Sequence, residues 1–402
     1  MFRNPKRMGR WIAIAVAIGL FCSWQALAKK PDKPPGGGGG AAYTIVPFLP
    51  PDFASTSSSV EDLSDEGYAV GVAKVDGGDN AAVHLDVATG VYTSLQEGIR
   101  ANGVNDHNET VGVMQSDDFV NAAFWSGPSA PPVSLPPFLT SNLPPGTQSV
   151  GVNSGASAIN SDGIVIGGSS ELLEVDHGDG TYSYDRIHTV VVWRVIVDGA
   201  GVAVDGPIEL PPLYAGAEGQ AFDINETLGG TAQIVGRSGD QAVVWSIELS
   251  PDDGTRIIPE APVPVSTPGA SWSTGRGINN LMDISGRMQS DSVDFDVPFV
   301  AIAGQEAQPL SIPRRTVNGY ANDISDTGAI VGSLRIPKKE GWYGPEYAYL
   351  WKDGESIDLN TQVTDDSGWE LNWAGVISNG GLIGGYGHFD VYTRGFLLIP
   401  NP

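Results

Sequence analysis

The chain has 402 residues, with 22 Lys and Arg against 47 Asp and Glu, and its formal net charge is −25. Such an acidic surface repels phosphate backbones and anionic lipids, so a nucleic-acid partner is excluded. The single cysteine, Cys22, excludes a disulfide framework and a cysteine-ligated metal site.

Residues 1–28 have the organisation of a secretory signal peptide. Basic residues precede an apolar run from Trp11 to Trp24, and Ala26-Leu27-Ala28 supplies a small-x-small cleavage site. A membrane anchor is the alternative, but the run is short for a span of about 20 residues. Residues 29–42 are rich in Pro and Gly and predict a linker. We therefore expect a secreted or periplasmic protein, a monomer without a membrane span once the signal is removed.

The rest of the chain repeats one phrase about seven times. The phrase is an apolar residue, Asn or Ser, two variable residues and Gly, followed by a short apolar run that ends in Gly; the clearest copy runs from Ile159 to Gly167. Self-similarity at such periods is typical of repeat architectures. The residues at the apolar position, spaced by 41 to 65 residues, are Leu63, Val104, Ile159, Ile224, Ile278, Ile324 and Ile377.

Each copy has the chemistry of a tight β-hairpin. The Asn side chain can bond to the backbone ahead of it, and the Gly can take the positive φ that a type I turn with a bulge requires. The residues at this place are Gly67, Asn108, Gly163, Gly328 and Gly381. In five copies another Gly follows four residues later, at 71, 112, 167, 332 and 385, which indicates a crowded outgoing strand.

Two further strands complete each copy. One holds an apolar run that includes a tryptophan in four copies, which we expect to pack between copies, and the next is a short strand near a Leu. The tryptophans are Trp125, Trp193, Trp245 and Trp351. Four short strands are the content of one propeller blade.

The two ends of the repeat region complement each other. The last copy stops after its third strand, and residues 43–50 form an orphan strand that resembles the missing fourth. Pairing the two would hide both edges. The sequence thus predicts an all-β fold, a single β-propeller at 43–402 with seven four-stranded blades closed by the N-terminal strand. Because the fifth copy is degraded, six or eight blades stay open.

The repeat resembles that of the HAF family of bacterial extracellular repeat proteins. The resemblance is carried by four fragments that follow one another within a copy: Ala-x-x-Ile-Asn-x-x-Gly, Val-Gly, Ala-Phe-x-Trp and a Leu. The strongest matches are 156–167, 221–236 with 243–245, and 321–332 with 347–351. The resemblance covers nearly all of residues 43–402 and departs most in copies one and five. It implies an exported, propeller-like protein and supplies no catalytic residues.

Aromatic residues outside the repeat are the candidate ligand-binding residues. They lie in or beside the longer connections, where exposed rings can stack on sugars or anchor a protein partner, and structural packing is the alternative. The pair Trp342-Tyr343 lies in an insertion between strands and is the first to test. The full set is Trp272, Trp342, Tyr343, Trp369 and Trp373.

Carboxylates supply two more candidate groups. Asp62, Asp223 and Asp323 share one position in the repeat and would rim the central channel if the first strand of each copy is innermost. A separate acidic loop suits Ca²⁺, although its spacing matches no known type of Ca²⁺ loop and a solvated loop is the alternative. Its candidate metal ligands are Asp176, Asp179 and Asp185. No zinc spacing, phosphate-binding loop, dinucleotide fingerprint or nucleophile elbow is found, so we expect no other cofactor.

Two functions are weighed on these features. The first is a non-catalytic binding or structural module at the cell surface or in the periplasm, with a protein or polysaccharide ligand. The second is a glycan-processing hydrolase or lyase that uses two carboxylates across the channel. The shared repeat position of the three aspartates argues against the second, because a catalytic pair should break the symmetry.

Overall fold

Nearly all regular structure in the described residues is β-strand, because each copy alternates β-branched and apolar residues with breaks of Gly, Asn and Asp. The computed structural model describes residues 41–50, 57–74, 78–116, 119–250, 256–289, 295–314, 316, 318–337, 343–364 and 367–402. The predicted signal peptide and residues 29–40 of the predicted linker lie outside these ranges. Within them, no helix has the length and apolar character to cross a membrane.

Seven antiparallel sheets, one for each copy, form the blades of a β-propeller. Blades 1 to 3 comprise β2 (Ser57–Leu63), β3 (Tyr68–Lys74), β4 (Asn80–Asp86), β5 (Val91–Ser94), β6 (Gly98–Val104), β7 (Thr110–Ser116), β8 (Phe119–Trp125), β9 (Val133–Ser134), β10 (Thr147–Ile159), β11 (Ile164–Asp176), β12 (Tyr182–Asp198) and β13 (Gly201–Glu209). Blades 4 to 6 comprise β14 (Gly219–Ile224), β15 (Thr231–Ser238), β16 (Gln241–Leu249), β17 (Ile257–Pro259), β18 (Val263–Pro264), β19 (Trp272–Ile278), β20 (Ile284–Gln289), β21 (Val297–Ala301), β22 (Gln308–Pro309), β23 (Asn318–Ile324), β24 (Ile330–Pro337), β25 (Tyr343–Lys352) and β26 (Glu355–Asp358). Blade 7 comprises β27 (Trp369–Ile377), β28 (Ile383–Phe389), β29 (Tyr392–Pro400) and β1 (Tyr43–Phe48).

Blades 1, 2, 3, 5 and 6 each have four strands in chain order, and blade 7 takes β1 as its fourth strand. Blade 4 splits its outer edge between β17 and β18, which both pair with β16. A single turn of 3-10 helix, Leu359–Thr361, follows blade 6. The first strand of each blade is innermost, because β2, β6, β10, β14, β19, β23 and β27 contact one another in that order round a full circle. These seven strands therefore surround the central channel.

The N-terminal strand closes the ring. β1 pairs antiparallel with β29, from Tyr43 opposite Pro400 to Phe48 opposite Gly395. Phe48 is fully buried in the core that blade 7 shares with blade 1. The predicted seven four-stranded blades and their closure by the N-terminal strand are confirmed.

A β-bulge near the end of every innermost strand explains the recurring glycines. The neighbouring second strand has a glycine opposite each bulge, and an added Cβ there would clash with a backbone carbonyl of the innermost strand, such as that of Tyr320 at Gly332. The crowding predicted for five copies is confirmed, and Gly236 and Gly286 extend it to all seven.

The turns after the innermost strands also follow the prediction. The residues predicted to take positive φ do so, with values from 63° to 87°; they are Gly67, Asn108, Gly163, Gly328 and Gly381. In the degraded fifth copy the same place is taken by Met282, at φ 66°. The fourth copy differs, since Gly229 and Gly230 form a two-residue loop between Leu228 and Thr231. Its turn therefore lies further along the chain than in the other copies.

The tryptophans of the repeat join neighbouring blades. Trp125, Trp193 and Trp245 are fully buried, and Trp351 is 3% exposed. Each donates its Nε1–H to a backbone carbonyl at the outer edge of the preceding blade, over 2.7–3.1 Å. The accepting residues are Gln96, Pro136, Pro211 and Ser311. The predicted packing between blades is confirmed.

Blade 3 is longer than its neighbours. β10 and β11 have 13 residues each, whereas β6 and β7 have 7. The extra pairs, which begin with Thr147 opposite Val175, extend β10 and β11 at the end of the channel where the innermost strands begin. We call this end the open end, and the opposite end, where the innermost strands enter their turns, the turn end. At roughly 3.3 Å per residue, blade 3 projects by about 20 Å at the open end.

Candidate binding site at the channel

The turn end is held by hydrogen bonds that run from one blade to the next. The backbone N–H of Asn280 donates to Asp326, that of Asp326 to Asn379, that of Asn379 to Asp65, and that of Asp65 to Asp106, over 2.6–2.9 Å. This chain links blades 5, 6, 7, 1 and 2. The acidic and amide side chains of the turns therefore stabilise the ring.

The three aspartates predicted to rim the channel lie on innermost strands and join pairs of blades. Each carboxylate accepts one N–H from the next residue of its own strand and one from the following blade, over 2.7–2.9 Å. The donors are Leu63 and Val104 for Asp62, Ile224 and Ile278 for Asp223, and Ile324 and Ile377 for Asp323. Blades 1 and 2, 4 and 5, and 6 and 7 are joined in this way.

Burial and mutual repulsion act on these carboxylates. Burial raises the pKa of Asp62 to about 7 and that of Asp323 to about 6, although the backbone N–H donors act in the opposite direction. Burial, followed by repulsion from Asp323, raises the pKa of Asp223 well above its usual range. The turn half of the channel therefore contains three carboxyl groups whose pKa values are raised above the usual range.

The described residues do not gather a metal site. Among them, no group of three or more His, Cys, Asp or Glu side chains is placed to hold an ion. In the predicted Ca²⁺ loop, Asp176 accepts the N–H of Gly178, and Asp179 accepts the N–H and the hydroxyl of Thr181. Asp185 lies on β12, opposite Leu173. The loop carboxylates thus serve their own turns at the tip of blade 3.

Aromatic rings and arginines alternate around the open half of the channel, starting in blade 5. The guanidinium of Arg287 lies 5.1 Å from the ring of Trp272 and 4.7 Å from the ring of Tyr320 on blade 6. Its Nη1 also forms an ion pair of 2.8 Å with Asp296. Arg335 lies 5.9 Å from the same ring of Tyr320. Tyr320 thus has two cations close to its ring, and these side chains are all partly exposed.

The array continues into blade 7. The rings of Tyr320 and Trp373 are 5.5 Å apart, and Trp373 stacks on Tyr386 with 7° between the ring planes at 6.1 Å. Glu346 pairs with Arg335 at 3.1 Å, and burial raises the pKa of Tyr386. Trp272, Arg287, Tyr320, Arg335, Trp373 and Tyr386, together with Phe222 and Arg276, are called the aromatic–arginine belt below.

Arg276 is the innermost cation of the belt. It lies on β19 with its guanidinium 4.2 Å from the ring of Phe222 on blade 4. Burial, with repulsion from Arg287, lowers the pKa of Arg276 to about 10. On the other side of the ring, Arg100 pairs with Glu61 at 2.6 Å. Blade 3 interrupts the series of large side chains, since Gly155 and Ser157 occupy the corresponding positions of β10.

The predicted aromatic candidates have different outcomes. Trp272 and Trp373 belong to the belt, although they lie on innermost strands and not in connections. Trp369 is a correction: it is 6% exposed, stacks on Phe389 at 5.0 Å and forms part of the core. Trp342 lies outside the described residues, and of Tyr343 the structure describes only the backbone, as the first residue of β25.

Sequence inspection missed the arginines and tyrosines of the belt. The sequence nevertheless contains a sign of the belt. The residues that lie two and four positions before the apolar residue of each copy differ in type from one copy to the next. At those positions the copies carry Glu61, Arg100, Phe222, Arg276, Asn322, Tyr320 and Trp373, among others. When the residue type varies between copies at the same place in the repeat, the propeller fold does not require a particular side chain there.

Comparisons with known proteins give no family. No family model matches the chain, and no curated protein matches it. Among solved structures, it is similar to an acylaminoacyl peptidase of Pyrococcus horikoshii, at 10% identity over 86% of this chain and 51% of that chain, with a TM-score of 0.49. It is similar to a puromycin-hydrolyzing peptidase of Mycobacterium tuberculosis at 12% identity, over 90% of this chain and 55% of that chain, with a TM-score of 0.49. It is also similar to an oligogalacturonate lyase of Vibrio parahaemolyticus at 11% identity, over 90% of this chain and 99% of that chain, with a TM-score of 0.45. The chain spans about half the length of the two peptidases. Likenesses this distant carry no inference about activity.

Proposed function

We propose that this propeller is an exported, non-catalytic binding module and that an oligosaccharide chain is the ligand of its aromatic–arginine belt. The observation that carries the proposal is the asymmetry of the belt. The repeat would build a seven-fold channel, yet blades 4 to 7 place rings and guanidinium groups at positions where blade 3 has Gly155 and Ser157. Propeller packing does not require this difference.

The position of the belt favours a slender ligand. Its side chains are partly exposed and lie between the inner ends of the blades, where a folded partner with a broad surface has little access. A sugar chain has apolar ring faces that can stack on Trp373 or Tyr320, and hydroxyl groups that can bond to charged and amide side chains at the ring edges. The resemblance to HAF repeats agrees with an exported module and stays a prediction.

The glycan-processing alternative has one observation in its favour. The raised pKa values of Asp62 and Asp323 are suited to a carboxyl group that acts as a general acid. Against it, both oxygens of each carboxylate already accept backbone N–H groups, one from the same strand and one from the following blade. These bonds fix the carboxylates to the scaffold and favour a structural role.

The test is affinity electrophoresis of the mature protein, residues 29–402, in gels containing a panel of polysaccharides. Soluble products are analysed by mass in parallel. We expect retardation by at least one polysaccharide without release of products, and loss of retardation in Trp373→Ala. Tyr184→Ala is the matched control, because Tyr184 is a 60% exposed ring on blade 3, outside the belt. Release of products would favour the alternative, and absence of retardation across the panel would refute the proposal.

A further inference from the structure

Arg276 differs from the other arginines near the open end in having no counter-charge. Arg100, Arg287 and Arg335 pair with Glu61, Asp296 and Glu346, at 2.6, 2.8 and 3.1 Å. Among the described residues, Arg276 has no ion pair and no hydrogen bond, and its one contact of this kind is the face of Phe222. A partly exposed guanidinium without an anionic partner can form charge-assisted hydrogen bonds with an anion that is placed beside it.

The surroundings of Arg276 suit a carboxylate. The neighbouring guanidinium of Arg287 raises the local positive potential, and its Nε is buried without a hydrogen-bond partner. Guanidinium groups match the planar, two-oxygen geometry of a carboxylate. Asn322, two residues before the apolar position of blade 6 as Arg276 is in blade 5, has an amide oxygen without a partner. That oxygen can accept a hydrogen bond from a hydroxyl group.

These neighbours also lie next to aromatic rings. Arg287 lies over the ring of Tyr320, and the ring of Tyr320 lies 5.5 Å from that of Trp373. Arg276 interacts electrostatically with both Arg287 and Tyr320. A carboxylate at Arg276 and a ring face at Tyr320 or Trp373 are therefore available to one ligand. A sugar whose ring bears a carboxylate combines the two features in a single residue.

We infer that the belt binds an oligosaccharide of uronic acids, with one carboxylate seated at Arg276 and Arg287. This inference rests on the proposed function and specifies its ligand class. Because the chain carries a formal net charge of −25, long polyanions are repelled as a whole, and a short chain or a chain end is the expected ligand.

The test compares two oligosaccharide probes that differ only in the presence or absence of the carboxylate. Short β-1,4-glucuronan oligosaccharides carry a carboxylate where cello-oligosaccharides of the same length carry a hydroxymethyl group. In calorimetric titrations of the mature protein, we expect the glucuronan to bind at least about tenfold more tightly, which corresponds to about 1.4 kcal/mol. Arg276→Met should remove this preference, because Met lacks the guanidinium group but retains apolar packing on Phe222.

Arg186→Met is the matched control, because Arg186 lies on β12 and its Nη1 is 3.3 Å from the Ser170 hydroxyl. It should keep the preference. Equal affinity for the two probes, or a loss in Arg276→Met that is the same for both, would overturn the inference and leave the proposed oligosaccharide site intact. Failure of both probes to bind while another polysaccharide is retained would also overturn it. Failure of every polysaccharide would instead refute the proposed function.

Discussion

The carboxylate of Asp323 accepts the backbone N–H of Ile377 at 2.7 Å across the boundary between blades 6 and 7. The same carboxylate accepts the N–H of Ile324 in its own strand, also at 2.7 Å. One side chain thus fixes the innermost strands of two blades relative to each other. Asp62 and Asp223 repeat this contact, so carboxylates that resemble a catalytic set serve to hold the channel wall.

Protonation of these carboxylates should affect stability. Because the folded pKa of Asp323, about 6, and that of Asp62, about 7, exceed the unfolded value of 3.8, the folded state keeps protons that the unfolded state has lost. The contribution of these groups to folding is therefore fully present below the unfolded pKa of 3.8 and is lost as pH rises through the folded values of about 6 and about 7. We expect a loss on the order of 1–3 kcal/mol in free energy of unfolding between pH 5 and pH 8.

The measurement is urea unfolding at both pH values for the parent and for Asp62→Asn/Asp323→Asn. Asn does not titrate, so the double variant should lose less stability than the parent over this interval. Equal losses in the two proteins would show that the buried carboxylates do not carry the pH dependence.

Met282 offers a stabilising substitution. It has φ 66° where other copies have Gly, and a left-handed backbone costs a residue with a Cβ about 1–2 kcal/mol. Met282→Gly should therefore raise the melting temperature by a few degrees, and the 45% exposed side chain contributes little packing to offset the gain. Gly328→Met, the reciprocal change in blade 6, should lower it. A lower melting temperature for Met282→Gly would contradict this account of the turn.

Two adjacent glycines of β11 should respond to the same change by very different amounts. A Cβ at Gly167 would clash with the backbone carbonyl of Gly155 at the bulge, whereas at Gly168 the nearest atom, the carbonyl oxygen of Thr189, is 3.4 Å away. We expect Gly167→Ala to lower the free energy of unfolding by about 2–3 kcal/mol and Gly168→Ala to change it by less than about 0.5 kcal/mol. Comparable effects in chemical denaturation would show that the bulge tolerates a side chain.

Removal of the N-terminal strand should open the ring. A chain that begins at residue 51 leaves β29 as an unpaired edge and removes the fully buried Phe48. We expect a lower melting temperature and aggregation in size-exclusion chromatography. A chain that begins at residue 41 keeps β1 and is the control. If both chains elute as equally stable monomers, closure by β1 is not needed for the fold.

Local chemistry explains what could be predicted from the sequence. The turn glycines, the bulge glycines and the tryptophans recur because every blade needs them, so seven copies repeat the same constraint. Closure of the ring by the N-terminal strand could be predicted because the last copy lacks its fourth strand and residues 43–50 form an orphan strand. The fourth copy differs from the predicted turn pattern because its turn lies further along the chain, at Gly229-Gly230.

Contacts between blades could not be predicted in the same way. The pairing of Arg287 with Tyr320, 33 positions further along the chain, depends on how adjacent blades are juxtaposed. Trp369 was a candidate for an exposed ring in or beside a connection, yet it starts β27, is 6% exposed and packs on Phe389. Asp223 was correctly placed on the innermost strand, but its bond to the N–H of Ile278 required the neighbouring blade.

Intrinsic tryptophan fluorescence tests the central claim, that the belt at the open end is the ligand site. Trp272 and Trp373 are belt residues, whereas Trp125, Trp193 and Trp245 are fully buried between blades. Titration with a retained oligosaccharide should change the emission of the parent. The double variant Trp272→Phe/Trp373→Phe must first have the melting temperature of the parent. Its tryptophan emission should then not change on titration, and calorimetry should give a weaker affinity for the oligosaccharide. An undiminished affinity in this double variant would contradict the claim.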